Sequence, residues 1–577
     1  MTTTSAPRVP VARRPAGVAA AAGTTWTAQL ASWLHTHATS IVVVSVALGA
    51  IAVVHAWGMA TFPVRFDDEG TYVSQAWSLL TRGALSPYTY WYDHPPLGWM
   101  QLAGWFASTG ALDRGGNAVT AGREAMLVAH LVSSGLLYVL ARRLGFARGW
   151  SVVALVLYTA SPLALSMHRM VFLDNLAMPW LIGAFVLACT PRHRLSAYAG
   201  AALCFAGAVL SKETFLLVLP ALVYQMWRNT DAANRMYAWS LFWSVLVLTG
   251  LLYPVYALLR GELLTSPDRV SVIDAIAFQL GRTGGDSAET IRNWVQLDPW
   301  LLGLGAAAAC VALFIPRLRP YALMAAIHGL IVLRPGYLPV PYVVAALMPA
   351  SLLVAGAFDA LSRAALPRAR VGALPAVVSV LAALVLTALI GPTWVEGVRT
   401  AATHDQDAAL RAAQRWVTAN VEPDARLLVD NSLWLDLVAA RFPERNVVWF
   451  YKLDLDPAGV GVAFPRGHRA FDYVIASEIV RDSAEDLPEI GAALDNSVTV
   501  ATFGDREPVE VRRIHRGGVP ARVTSDRQFV VDHYREFLDR APRRDELTGW
   551  LHRLRTGTTH DEVIQALADA AYRREHR

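Results

Sequence analysis

Three consecutive acids, Asp67-Asp68-Glu69, follow directly on an apolar run, and a second polar group, Asp93-His94-Pro95-Pro96, stands a little further along. Other charged groups recur at the ends of later apolar stretches: Ser166-Met167-His168-Arg169, Asp174-Asn175, Ser211-Lys212-Glu213, and Arg334 with Tyr337. Adjacent acids alone read as a solvated loop, and one cation at a helix end reads as a side chain reaching for the interface. Gathered at such ends in this number, ionisable groups are costly and mark function. One activated carboxylate facing several cations suits transfer of a sugar from a lipid phosphate. The phosphate leaves without protonation, so it needs fixed positive charge where negative charge develops. The acceptor hydroxyl needs a general base, and a carboxylate within hydrogen-bond reach can serve. Acids then belong to the acceptor side and cations to the donor side, and a single displacement inverts the anomeric carbon. Three adjacent acids could also hold a divalent cation, but no second acidic cluster has ligand spacing. The expectation is chemistry without a resident metal or cofactor.

Apolar helices in a membrane must position these groups. The chain of 577 residues is 54% hydrophobic and 17% charged, with a mean hydropathy of +0.35. Soluble domains carry about a quarter charged residues, so this balance points to the bilayer. The net charge of +5 is almost wholly arginine, with lysine only at Lys212 and Lys452, and is poor support for a nucleic-acid partner. Cys189, Cys204 and Cys310 lie in apolar stretches without metal spacing and read as inert thiols.

Spanning the hydrocarbon takes about 20 apolar residues, and eleven candidate spans fall between residues 41 and 392. Arginines crowd alternate short connections: Arg142, Arg143 and Arg148; Arg192 and Arg194; Arg228 and Arg235; Arg317 and Arg319; Arg363, Arg368 and Arg370. By the positive-inside rule these are cytoplasmic, as is the tail 1–40. Loops 61–123 and 260–298, and everything after about 393, then lie outside the plasma membrane. Between the two polar groups of the first loop, Val73, Ala76, Trp77, Leu79 and Leu80 make an amphipathic helix suited to the membrane surface.

The expected fold is mainly α: a polytopic helical bundle over 41–395, an extracytoplasmic α/β domain over 396–518 and a helical module over 519–577. Arg426–Asp430 and Phe471–Ile475 read as buried strands, and Val530, Tyr534, Phe537, Leu538, Leu547, Trp550, Leu551 and Leu554 recur at helical spacing.

Phe66-Asp67-Asp68-Glu69-Gly70-Thr71-Tyr72, with Tyr92-Asp93-His94-Pro95-Pro96-Leu97-Gly98, resembles the first lumenal loop of the protein O-mannosyltransferases and their bacterial relatives. These are GT-C type, polyprenyl-phosphate-dependent glycosyltransferases, and they include the aminoarabinose transferases of lipid A. His168 to Asp174, Leu210 to Thr214, and Arg334 with Tyr337-Leu338-Pro339 resemble later motifs of the same group, in order. The resemblance implies a GT-C-like bundle, a polyprenyl-phosphate sugar as donor, and Asp68 as the base. Beside Asp68, Glu69 completes the catalytic pair; Arg169, Lys212 and Arg334 would hold the donor phosphate. Asp67, Asp93, His94, Asp174 and Tyr337 would orient groups or meet the acceptor, an envelope glycan, lipid or protein. His94 stands where the aminoarabinose transferases have lysine, and no Trp-Trp-Asp motif follows residue 393, which speaks against en bloc oligosaccharide transfer.

Two other classes compete. A transporter or lipid flippase would place its polar groups near the midplane on broken helices, commonly in repeated halves, and no repeat is evident. A membrane-anchored scaffold would leave the clustered cations without a role.

Overall fold

The computed structural model describes residues 26–86, 94–114, 116–190, 195–265, 271–281, 287–334, 336–364, 374–457, 459–515 and 526–575. The chain opens with α1 (Trp26–Ala56), an apolar helix few of whose side chains are buried by protein, as suits a helix facing lipid. Then come α2 (Asp67–Arg82), α3 (Leu97–Thr109), α4 (Ala118–Arg143), α5 (Arg148–Ala160), α6 (Pro162–Arg169), α7 (Leu173–Ala188), α8 (Leu195–Ser211) and α9 (Leu219–Asn229). They are followed by α10 (Arg235–Gly250), α11 (Leu252–Leu259), α12 (Val272–Gly281), α13 (Ser287–Leu297), α14 (Leu301–Ala312), α15 (Arg319–Val332), α16 (Tyr342–Ala364) and α17 (Leu374–Thr403).

Among the described residues five helices are long and apolar enough to cross a membrane, or up to seven if each bent pair is one span. α5 and α6 meet at 63°, and α13 and α14 at 97°. Hydropathy along the chain predicts eleven. The difference lies in short elements: α7 and α8 are apolar but have 16 and 17 residues, below the roughly 20 that a full crossing takes. The bundle interior is closed by small residues; a Cβ on Gly305 of α14 would meet the Cβ of Ala350 of α16 at 2.6 Å.

The two ends of the bundle differ in charge. At the C-terminal end of α4, Arg142 and Arg143 donate to the carbonyls of Phe146 and Val186. Arg317 joins them through the Leu144 carbonyl at 3.2 Å, and both Arg317 and Arg363 pair with the buried Asp359. This arginine end lies the length of α4, 26 residues or about 39 Å, from the end that carries α2.

α17 runs unbroken to Thr403, past the expected junction at 396, and leads through α18 (Ala408–Asn420) into an α/β domain. β1 (Leu427–Val429) is followed by α19 (Asn431–Ala439), then β2 (Val447–Trp449), β3 (Tyr473–Ala476), β4 (Ser497–Phe503) and β5 (Val509–Ile514). The sheet order is β2-β1-β3-β5-β4, with β1 parallel to β2 and β3, and β5 antiparallel to β3 and β4. Both strands anticipated from sequence are present, buried on both faces as parallel strands require. Helices Asp526–Leu538, Arg544–Arg555 and His560–Glu575 pack around Phe529, Val530, Val563 and Leu567. They cover the edge strand β4 through Val498, removing an open edge.

α2 is amphipathic, as its sequence predicts, and most of its apolar face meets protein, with Leu80 left exposed. Tyr72, Val73 and Ala76 are buried against α3 and α4, and Trp77 packs edge-on against Trp434 of α19, 6.0 Å between ring centres. The amphipathic pattern shows that one face must be covered, not what covers it.

Candidate active site

α2 starts at Asp67, so the three acids occupy its first turn, where the helix dipole favours negative charge. Their environments then diverge. Glu69 is fully buried and its oxygens accept four hydrogen bonds: from Arg123 Nε at 2.9 Å and Nη2 at 2.7 Å, from the Val171 amide at 2.9 Å, and from the Phe66 amide at 3.0 Å. Arg123 also donates to the carbonyls of Met59 and Pro63, each at 2.9 Å. Glu69 is thereby tied into the scaffold, and no lone pair is left to take a proton from an acceptor.

Asp67 and Asp68 are half-buried. Asp67 accepts from the Asp68 amide at 2.8 Å, and its carboxyl is held well above the usual range by enclosure first, then by Asp68 and by Asp430 of the α/β domain. Of these crowded carboxylates, Asp67 is the one whose surroundings favour the protonated form. One turn on, Tyr72 is 3% exposed; burial, and then the charge of Asp68, keep its phenol neutral.

Tyr72 connects Asp68 to the remaining groups. Its hydroxyl stands 3.4 Å from His94 Nε2, and His94 Nδ1 is 3.1 Å from the Glu213 carboxylate. Lys212 Nζ lies 3.1 Å from His94 Nε2 and is 5% exposed. These partners fit one imidazole tautomer, with Nδ1–H donating to Glu213 and Nε2 accepting from the ammonium. Asp174, buried with one oxygen lacking a hydrogen-bond partner among the described residues, faces Lys212, Glu213 and His94. Tyr337 is near enough to act electrostatically on Tyr72, and Arg334 stands exposed three residues before it. Asp68, His94, Asp174, Lys212 and Tyr337 are therefore brought together. Asp93 lies outside the described residues.

Arg169 takes a different part. Its guanidinium donates to the carbonyls of Val54 and Trp57 at 2.8 and 2.6 Å and to those of Phe62 and Ala401 at 3.2 and 3.3 Å. It caps the end of α1 and ties it to α17, so both of its terminal nitrogens are engaged by main chain where a phosphate would need them. Among the described residues no three His, Cys, Asp or Glu side chains are grouped to hold a metal ion.

Several participants stand outside the residues that the motifs mark. Tyr72 is four residues from Asp68, on the same helix face. Arg123 is a lone cation inside an apolar helix, a placement that demands a buried partner. Arg65 is 4% exposed and bonds Asp407 at 2.8 Å and Asp436 at 3.2 Å, joining the acid loop to the α/β domain. Asn431 Nδ2 donates to Thr71 Oγ1 at 2.7 Å and to the Tyr451 hydroxyl at 3.0 Å. Gly70 lies against the same residue: a Cβ there would sit 2.1 Å from the Asn431 carbonyl oxygen. No local pattern marks these contacts.

Residues 93–256 match the family model described as dolichyl-phosphate-mannose-protein mannosyltransferase, a stretch that holds His94, Asp174, Lys212 and Glu213. Residues 521–575 match a domain of unknown function, DUF4214. No curated protein is similar enough in sequence to count as a relative. Among solved structures, the archaeal oligosaccharyltransferase AglB from Archaeoglobus fulgidus, in complex with an inhibitory peptide and a dolichol-phosphate, is 13% identical with a TM-score of 0.50. The match covers 94% of this chain and 86% of that one. The apo form of the A. fulgidus oligosaccharyltransferase matches at 12% identity and a TM-score of 0.50, over 92% of this chain and 86% of that one. ArnT from Cupriavidus metallidurans bound to undecaprenyl phosphate is 16% identical, with 84% of this chain and 99% of that chain covered and a TM-score of 0.48. The chain has the GT-C-like fold of membrane glycosyltransferases.

Proposed function

We propose that this GT-C-like protein moves one sugar from a polyprenyl-phosphate donor to an extracytoplasmic envelope acceptor by a single inverting displacement. The observation that carries the reading is the convergence on Tyr72 of an acid, Asp68, and a cation, Lys212, held through His94. In this reading Asp68 takes the proton of the acceptor hydroxyl as its oxygen bonds to the anomeric carbon. The bond from that carbon to the phosphate oxygen breaks, and polyprenyl phosphate leaves with the electron pair. Lys212 and Arg334 balance the charge that develops on the leaving oxygen, and the neutral phenol of Tyr72 can donate to it. His94, with its Nδ1–H held by Glu213, orients the ammonium of Lys212; Asp174 and Tyr337 line the same space.

Glu69 and Arg169, though adjacent to this machinery in the sequence motifs, act as positioning residues that set α2 and the end of α1. Asp67, whose surroundings favour its protonated form, crowds Asp68 less than a second full charge would. The family description over 93–256 supports a lipid-phosphate donor, and the arginine end of the bundle supports a cytoplasmic N-terminus with the α/β domain outside the plasma membrane.

The test is Asp68→Asn in membranes supplied with lipid-phosphate-linked sugar. Loss of a general base lowers the rate by about 10²- to 10⁴-fold. Transfer at nearly the native rate would end the assignment of Asp68 as base.

A further inference from the structure

A second set of cations lies at the opposite end of the strands from the acid loop. Arg426, immediately before β1, Arg513 on β5, and Arg466 and Arg469 between β2 and β3 line one pocket of about 540 Å³. Asp430, at the other end of β1, faces Asp67. With about 3.3 Å of rise per residue, the pocket is roughly 13 Å from that site and on the far side of the domain from α2.

Arg426 is fixed in place: its guanidinium lies over the Phe464 ring at 5.5 Å and donates to the Ala470 carbonyl at 3.3 Å, and its amide donates to Asp472 at 2.9 Å. Arg466 and Arg469 stand exposed, and among the described residues neither guanidinium donates a hydrogen bond. Glu422 and Asp424 line the same pocket. Its wall reaches the tail module, whose Tyr572 hydroxyl donates to Asn420 at 2.8 Å.

We propose that this pocket binds an anionic glycan. Guanidinium groups match the planar oxyanions of carboxylate and phosphate, while carboxylates beside them accept from hydroxyls. A ligand that alternates anionic groups with hydroxyls satisfies both; a uniformly acidic peptide would meet Glu422 and Asp424 unfavourably. The volume is within the range of small-ligand pockets and admits a few sugar rings. The pocket lies at the end of β1 away from the acid loop, which favours a polymer of the surrounding envelope over a lipid headgroup.

The full-length protein in nanodiscs is titrated with a galacturonate oligomer, a poly(glycerol phosphate) oligomer, a neutral maltooligosaccharide and poly-aspartate. One or both anionic glycans bind in a salt-sensitive way, and the preference between them separates a carboxylate from a phosphodiester source. Arg466→Glu combined with Arg469→Glu weakens that binding by about tenfold or more. Arg544→Glu with Arg555→Glu changes net charge equally on exposed positions of the tail and leaves it intact. Equal affinity of the pocket variant and the native protein, tighter binding of poly-aspartate, or binding of maltooligosaccharide as tight as the anions overturns the proposal.

Discussion

Glu69 and Arg123 form a two-point ion pair with contacts of 2.7 and 2.9 Å, and their side chains are 0% and 1% exposed. The pair sits between the first turn of α2 and the interior of α4. Removing one partner of such a pair leaves a buried charge and costs about 3–5 kcal/mol. Arg123→Ala should lower the unfolding midpoint strongly. Arg123→Lys should rescue little, because a single ammonium cannot make both contacts and reach the carbonyls of Met59 and Pro63. Thermal unfolding in detergent checks this; a native-like midpoint for Arg123→Ala would contradict the scaffold role.

Lys212 and Arg169 look alike in sequence and should behave differently. Lys212→Ala should lower kcat/KM for the lipid-phosphate donor by about 10²-fold, in the range of a lost transition-state contact, with a much smaller loss of stability. Arg169→Ala frees four carbonyls, those of Val54, Trp57 and Phe62 around the end of α1 and that of Ala401 on α17, and should act chiefly on stability. Donor titrations paired with unfolding curves separate the two. If Arg169→Ala were as stable as the native protein and raised only the donor KM, the capping role would be wrong.

Gly70→Ala puts a methyl group into the Asn431 carbonyl and must move α19 away from α2. Overpacking of this kind costs about 1–3 kcal/mol and should reduce transfer, because the same displacement shifts Thr71 and the acids. Gly104, on an open face of α3 with nothing within 4 Å of its Cβ direction, is the control. Gly104→Ala should be neutral or slightly stabilising, by about 0.4–1 kcal/mol.

Asp67 and Asp430 both titrate above the ordinary carboxyl value of 3.8, and burial is the main cause at each. The folded form holds its proton more tightly than the unfolded chain. The stability contributed is therefore complete below about pH 4 and declines as pH rises towards the folded-state values, then levels off. Asp67→Asn removes one such group, so its stability should fall less steeply above pH 4 than that of the native protein. Parallel stability curves for the two proteins across pH 4 to 8 would refute the account of Asp67 as a carboxyl whose protonated form the fold favours.

Hydropathy, together with strand and helix periods, determined that this is a polytopic membrane chain with an α/β domain and a helical tail. The reason is physical: transfer from water to lipid acts residue by residue, and strand and helix periods are local. The acid loop, His94 and Lys212 were legible for the same reason, as costly charges beside apolar runs. Which of these charges are available to a substrate was decided only by tertiary structure. Glu69 and Asp68 are neighbours in the chain, yet Glu69 meets Arg123 across 54 residues and Asp68 does not. Arg169 meets carbonyls from α1 and α17, 115 and 232 residues away at their extremes. The cover on α2 is likewise non-local, since its apolar face could have met lipid but packs on α19. Partner choice at these distances depends on how helices stack, and no spacing within a motif encodes it.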